Sequence, residues 1–291
     1  MKKILILSGK GGTGKTTVCS ALIHNLKPKS YCDCDVDAPN LHILNKLNVK
    51  PKFKKFYGAY KANINQNICI KCGKCFKNCH FNAIKHLNNQ YLIDEISCEG
   101  CGLCEYICPV KAISLKEAIT GKISLYQNDE TFVSAVLKPG EGNSGKLVSE
   151  VKKTLFEANP NSDLAIIDGS PGIGCPVVAS ISGVDLIVIV TEPSLSGLND
   201  LKRIIDTANN MQTKYVVIIN KYDVNIDKTQ LIENYLNENH ITLIGKVPYD
   251  ENAIKAINQN QSISEYDSKA SVALNKISSK ILNIIKNEGD K

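Results

Sequence analysis

No stretch of this 291-residue chain approaches the ~20 consecutive apolar residues needed to cross a bilayer as a helix. A helical membrane protein is therefore not expected. A cleavable leader is not expected either. Met1-Lys2-Lys3 followed by Ile4-Leu5-Ile6-Leu7 mimics one briefly, but the apolar run ends at Gly9 and reads as a buried first strand. Disorder is excluded by composition, since 43% hydrophobic and 22% charged residues are those of a folded globular chain. Charge of one sign is in small excess, +6, with scattered lysines and no basic helix, so nucleic acid is not an expected partner. Cysteine, by contrast, is abundant at 12. A secreted disulfide scaffold is excluded by the length of the chain and by the regular spacing of eight of them. The chain is expected in the reducing cytoplasm.

Apolar runs alternate with helix-period segments over most of the length. Strands are expected at Lys3–Leu7, Ser30–Cys34, Leu164–Asp168, Leu186–Val190, Tyr215–Asn220 and Thr242–Val247. Helices are expected at Thr16–Leu26, Lys146–Glu157, Gly197–Asn209, Lys228–Asn239, Ile254–Asn258 and Ala270–Lys286. The strands are continuously apolar rather than alternating, which is the pattern of a mostly parallel α/β sheet with helices on both faces. The alternation breaks near Tyr57 and resumes near Lys116, with strands expected at Lys122–Tyr126 and Thr131–Leu137. We therefore expect a discontinuous α/β domain, residues 1–57 and 117–291, interrupted by a small α+β insert, residues 58–116. An insert of that size sits near the lower limit for an independent core, so bound metal would have to organise it.

Gly9-Lys10-Gly11-Gly12-Thr13-Gly14-Lys15-Thr16-Thr17 follows the first strand and opens a helix. Glycines there let backbone N–H groups curl around phosphate oxygens at a helix N-terminus. Lys15 is expected at the β- and γ-phosphates of ATP, and the Thr16 hydroxyl on Mg²⁺.

The insert carries two C-x-x-C-x-x-C-x-x-x-C runs, Cys69, Cys72, Cys75, Cys79 and Cys98, Cys101, Cys104, Cys108, the second followed by Pro109. Thiolates are soft ligands, and zinc sites come as separated pairs rather than runs of four. The spacing resembles that of two-cluster bacterial-type ferredoxins, in which the fourth cysteine of each run serves the other run's cluster. That resemblance implies one [4Fe–4S] cluster on Cys69, Cys72, Cys75 and Cys108, and a second on Cys98, Cys101, Cys104 and Cys79. His80 stands where such ferredoxins usually have proline. Proline is not a ligand, so this departure leaves the ligation unaltered.

Lysine directly after the first glycine marks the deviant Walker A motif, and the whole loop resembles that of the MinD/ParA ATPases. The resemblance implies that Lys10 reaches a partner subunit's phosphates. Asp33-Cys34-Asp35 resembles that family's first switch, with Asp35 near the γ-phosphate and Mg²⁺. Asp168-Gly169-Ser170-Pro171-Gly172 resembles Walker B and the second switch, where Asp168 holds Mg²⁺ through water and the Gly172 N–H meets the γ-phosphate. Asn220 matches the position that contacts adenine, and Pro248 opens a loop like the one that closes over the base. Cys175 falls seven residues after Asp168, where the related nitrogenase iron protein has a cluster cysteine. The second cysteine of that bridging cluster has no counterpart here.

The whole chain thus resembles MinD-superfamily P-loop ATPases with an inserted ferredoxin domain. The resemblance implies an ATPase that couples nucleotide-driven switch and dimer rearrangement to electron transfer through two [4Fe–4S] clusters. Its partner would be a second copy or a paralogous subunit, since Lys10 needs a partner's phosphate. Lysines around the first cysteine run suggest docking of an acidic electron carrier such as ferredoxin, with a metalloprotein as downstream acceptor. Two other readings stay open. One is a cluster-assembly or cofactor-maturation factor. The other is a positioning switch that binds membranes through the amphipathic last helix, whose apolar residues are Leu274, Ile277, Ile281, Leu282 and Ile285.

Overall fold

The computed structural model describes residues 1–44 and 49–287. In chain order the elements begin with β1 (Lys2–Leu7), α1 (Lys15–Leu26), β2 (Ser30–Asp33), the short α2 (Leu41–Leu44) and β3 (Lys52–Ile64). They continue with α3 (Lys74–Lys77), β4 (Ile84–Leu87), β5 (Gln90–Ile93), α4 (Leu103–Tyr106), β6 (Ile113–Gln127) and β7 (Thr131–Leu137). After these come α5 (Ser144–Ala158), β8 (Leu164–Asp168), α6 (Cys175–Ile181), β9 (Leu186–Thr191) and α7 (Leu195–Asn210). The last are β10 (Tyr215–Asn220), α8 (Ile226–Glu238), β11 (Leu243–Val247), α9 (Asn252–Asn258), a 3₁₀ turn at Ile263–Glu265, and α10 (Lys269–Asn287).

The chain divides into two compact units. The first comprises Met1–Phe53, Ile123–Val136 and Ser144–Lys291, and the second Lys54–Lys122 with Leu137–Asn143. The second is wider than the 58–116 expected from sequence. Its flanks are two long strands, β3 and the first part of β6, and β3 is too polar (Lys52-Phe53-Lys54-Lys55) to read as a strand.

In the first unit the sheet runs β11-β10-β9-β1-β8-β2-β7, with the end of β6 beyond β7. Every pairing from β11 to β7 is parallel. The central strands are buried on both faces: all six residues of β9 are buried, and so are the last four of β1. One face is filled by Ile4, Ile6, Ile166, Val188 and Ile218, which share a core with Val18 and Leu22 of α1. Leu274, Ile277 and Ile281 of α10 complete it. Each such side chain stabilises the fold by roughly 1.5–3 kcal/mol. The apolar stripe of α10 is therefore occupied by core packing, which removes the ground for a membrane-surface role. Among the described residues no helix is long and apolar enough to cross a membrane.

A buried lysine closes this unit from the other side. Lys152 of α5 donates to the carbonyls of Ala179, Ser180 and Ser182, at 3.0, 2.7 and 2.6 Å, at the C-terminal end of α6. Those carbonyls lack intrahelical donors, and the negative end of the helix dipole suits a cation.

The second unit repeats itself at an interval of 29 residues, beyond the cysteines alone. Lys71 and Gly100 both have left-handed backbone (φ 59° and 62°), as do Gly73 and Gly102 (72° and 80°) and Asn82 and Lys111 (52° and 50°). α3 follows Gly73 and α4 follows Gly102. The β4–β5 hairpin turns at Asn88-Asn89, whose φ values of 48° and 58° are those a two-residue I′ loop requires.

Candidate functional site

Strand register places the acidic residues of the first unit. Asp33 ends β2 opposite Asp168, which ends β8, and Asp168 is also opposite Ile6 of β1. The chain leaves β1 into the glycine-rich loop at this same sheet edge. Gly14 takes φ 86°, and a Cβ there would lie 2.2 Å from Asn220 Nδ2, so both conformation and close approach demand glycine. Lys15 then starts α1. A Cβ on Gly9 would lie 2.1 Å from the Asp200 side chain, so this glycine too is set by close contact.

A cavity of about 450 Å³ opens over this loop. Lys10 through Val18 line one end, together with Asp35, Asn40 and Pro171, and the other end is apolar, with Val247, Pro248, Ile254, Ile257 and Ile263. Gly11, Gly12, Thr13, Gly14, Lys15, Thr16 and Thr17 all border it. An anionic, hydroxyl-rich ligand with a flat apolar head fits that division.

The charged groups are tightly interlocked. Lys15 Nζ lies 2.5 Å from Asp168 Oδ1, both buried. Burial alone would lower the Lys15 pKa, but the adjacent Asp168 carboxylate overcomes this and raises it. Asp33 is pushed up to about 7 by burial and by the Asp168 charge, against the backbone N–H of Leu41. Its two oxygens accept from the N–H groups of Asp35, Asn40 and Leu41, each at 2.9 Å, so Asp33 pins the segment that follows β2. Asp35 is left facing the cavity, its carboxyl raised by burial and accepting from Ala38 N–H at 3.3 Å. Two buried polar atoms here have no partner, Thr13 Oγ1 and Asp168 Oδ2. An unpaired buried oxygen costs about 1–3 kcal/mol, and these two suit a phosphate and a hydrated Mg²⁺.

Several of these residues are engaged within the chain itself. Asn220 Nδ2 donates to Thr13 carbonyl at 2.7 Å, strapping the phosphate loop, so this donor is already used while the residue borders the cavity. Gly172, at φ 98°, donates its N–H to Ser8 carbonyl at 3.0 Å. Lys10, expected at a partner's phosphate, has partners within this chain. Its Nζ is 2.7 Å from Glu192 Oε1 and 2.9 Å from Ser196 Oγ. Glu192 also faces Lys221 at 3.6 Å, and Lys221 donates to Gly12 carbonyl at 2.9 Å. Glu192 and Lys221 were not legible as site residues, because their only signal is position after a strand. Replacing Glu192 by glutamine should release Lys10. Acylation of the Lys10 amine, followed by mass spectrometry on dilute protein, should speed up several-fold while nucleotide affinity holds.

In the second unit, one small cavity is lined by Cys69, Cys72, Cys75 and Cys108. Another is lined by Cys79, Cys98, Cys101 and Cys104. In each, three cysteines of one run meet the fourth of the other. Backbone N–H groups point at sulfur in repeat fashion, Ala83 to Cys79 at 3.3 Å and Ala112 to Cys108 at 3.2 Å, with Ala62 to Cys98 at 3.4 Å. Burial pushes the Cys104 thiol up to about 11 and raises that of Cys75. Thiolates in such surroundings need a positive counter-charge. Among the described residues no three His, Cys, Asp or Glu side chains converge on a point that would hold one metal ion. Lys61 of this unit is buried and paired with Glu141 at 3.0 Å. Cys175 is exposed at the start of α6, in the first unit.

A parallel sheet with a glycine-rich loop between its central strand and a helix, flanked by two strand-end aspartates, defines a P-loop nucleotide-binding protein. Residues 4–263 match the CobQ/CobB/MinD/ParA nucleotide binding domain, and the chain belongs to that family of ATPases. It is 33% identical to the uncharacterized protein MJ0578 of Methanocaldococcus jannaschii, over 97% of each chain. It is 23% identical to the iron–sulfur cluster carrier protein of Pyrococcus abyssi, over 98% of this chain and 86% of that one. The fold is shared with the Pyrococcus furiosus cell division ATPase MinD, with a TM-score of 0.59 at 17% identity, over 97% and 99% of the two chains.

Proposed function

We propose that this ATPase couples nucleotide binding and hydrolysis to electron transfer through two [4Fe–4S] clusters held in the second unit. The observation that carries the reading is the pair of cavities, each lined by four cysteines drawn three from one run and one from the other. A cubane is wider than a single ion, so its ligands line a cavity instead of converging on a point. Cys69, Cys72, Cys75 and Cys108 would hold one cluster, and Cys98, Cys101, Cys104 and Cys79 the other. Bound clusters would supply one-electron carriage at potentials tuned by the N–H···S contacts.

In the first unit the loop Gly9–Thr17 would cradle the phosphates of ATP, with Lys15 on the β/γ oxygens. Thr16 and Asp168 would hold Mg²⁺, Asp35 would orient water, and Gly172 would exchange its Ser8 contact for the γ-phosphate. Lys10 would leave Glu192 for the phosphates of a second copy or a paralogous subunit. An acidic carrier would deliver electrons, and a metalloprotein would accept them. The domain bounds that go with this reading are an ATPase domain and a ferredoxin-type insert, near the division at Lys54 and Lys122.

Anaerobic redox titration followed by EPR, without nucleotide, with ADP and with ATP, tests the coupling. A midpoint potential that shifts with nucleotide is the expected result, and three identical titrations would refute it. Similarity to a protein named an iron–sulfur cluster carrier favours a second reading, in which clusters are cargo. In that case the same loaded protein would pass its iron to an apo-acceptor within minutes.

A further inference from the structure

We infer that the exposed corner around Cys72 is the docking surface for a small acidic one-electron carrier protein. The inference rests on the cluster reading above and adds the place where the acidic carrier docks.

Of the four cysteines lining the first cavity, Cys75 is buried, Cys69 and Cys108 are half-buried, and Cys72 is exposed. Any group held there therefore meets solvent at Cys72. Charge around the two cavities is segregated by sign. From Asn65 to Ile93 the chain carries Lys71, Lys74, Lys77 and Lys85 and no Asp or Glu. From Asp94 to Cys108 it carries Asp94, Glu95, Glu99 and Glu105 and no Lys or Arg. Lys71, Lys74 and Lys77 are all exposed. Ile68 and Ile70 just before them and Phe76 among them are exposed by 47, 61 and 45%. A few apolar contacts inside a charged rim make a short-lived, electrostatically steered encounter, as electron carriers need.

The sign of the second run makes the choice directional, because Glu95 and Glu99 would repel an acidic partner from the Cys101 corner.

The test uses the full chain, prepared anaerobically, and a purified acidic bacterial-type ferredoxin as probe. Calorimetry measures binding and stopped-flow absorbance the electron-transfer rate, both as salt rises. Binding should weaken with salt, and the triple variant Lys71→Glu/Lys74→Glu/Lys77→Glu should lose about tenfold or more in affinity and rate at low salt. Glu95→Lys/Glu99→Lys should lose nothing. Salt-independent binding, or a lysine triple variant that binds like the parent, overturns the inference. Iron and sulfide content reports separately on the clusters. A chain without iron would end the cluster reading, while calorimetry would still decide whether the lysine corner binds the carrier.

Discussion

On the proposed cluster assignment, replacing Cys79 by serine should remove the cluster of the other cysteine run and spare that of its own. Cys79 lines the cavity of Cys98, Cys101 and Cys104, whereas Cys69, Cys72 and Cys75 share theirs with Cys108. Serine oxygen is a hard donor and a poor substitute for thiolate on iron, so the second site should be lost or degraded. Cys108→Ser should do the reverse. Iron and sulfide should fall by about half in each single variant and nearly to zero in the double, as expected for two four-iron sites. Assignment of the surviving cluster needs a marker. The N–H groups aimed at sulfur differ between the sites, with Ala62 to Cys98 and Ala83 to Cys79 at one and Ala112 to Cys108 at the other, so the two clusters should differ in potential. Cys79→Ser should then keep the signal that Cys101→Ser also keeps. If Cys79→Ser instead matches Cys72→Ser, each run holds its own cluster and the crossed arrangement is wrong. Equal loss of both clusters from either variant would mean that the unit collapses without a full set, which far-UV circular dichroism would show.

The reach of the sequence differed sharply between the two units. Strands such as Leu186–Val190 were legible because a central parallel strand buried on both faces must be continuously apolar, and β9 differs from that expectation only by Thr191. β3 was not legible, because Lys52, Phe53, Lys54 and Lys55 are all exposed and give no period. The cysteine spacing announced a repeat. The left-handed turns at Lys71 and Asn82 did not, since only glycine advertises that conformation in a sequence. At the nucleotide site, residue identities were readable from the loop motif, and their mutual contacts were not. Nothing in the spacing of Lys10, Glu192 and Lys221 says that three elements bring them together, or that Asn220 fastens the loop through Thr13. Lys61 shows the same limit from the other side. The lysines nearest to it in sequence, Lys55 and Lys71, are exposed, and only the fold brings Glu141 to cover it.

Lys15→Met should abolish hydrolysis, by at least about a hundredfold, because it removes the cation aimed at the charge that develops on the phosphates. It should also destabilise the fold, for a reason unconnected with ATP. Lys15 is the buried cation between two carboxylates: Asp168 at 2.5 Å and, through the register of β2 and β8, Asp33. Breaking a buried pair from one side costs about 3–5 kcal/mol, since the remaining charge is left uncompensated. Lys15→Met/Asp168→Asn should recover much of that stability and none of the activity, which separates the two roles. The loss should also depend on pH, with a definite sign. Asp33 already sits at about 7 in the intact protein, well above an unfolded aspartate. Between about pH 4 and pH 7 the folded state holds a proton that the unfolded state has released, so this carboxyl favours folding at low pH and the benefit is lost as pH rises through 7. Without Lys15 its charge no longer offsets the repulsion between Asp168 and Asp33, so protonation of Asp33 relieves more of the strain. The stability deficit of Lys15→Met against the parent should therefore shrink as pH falls from 8 to 5 in denaturant titrations. A deficit that grows on acidification would mean that Lys15 is not the partner of these carboxylates in solution.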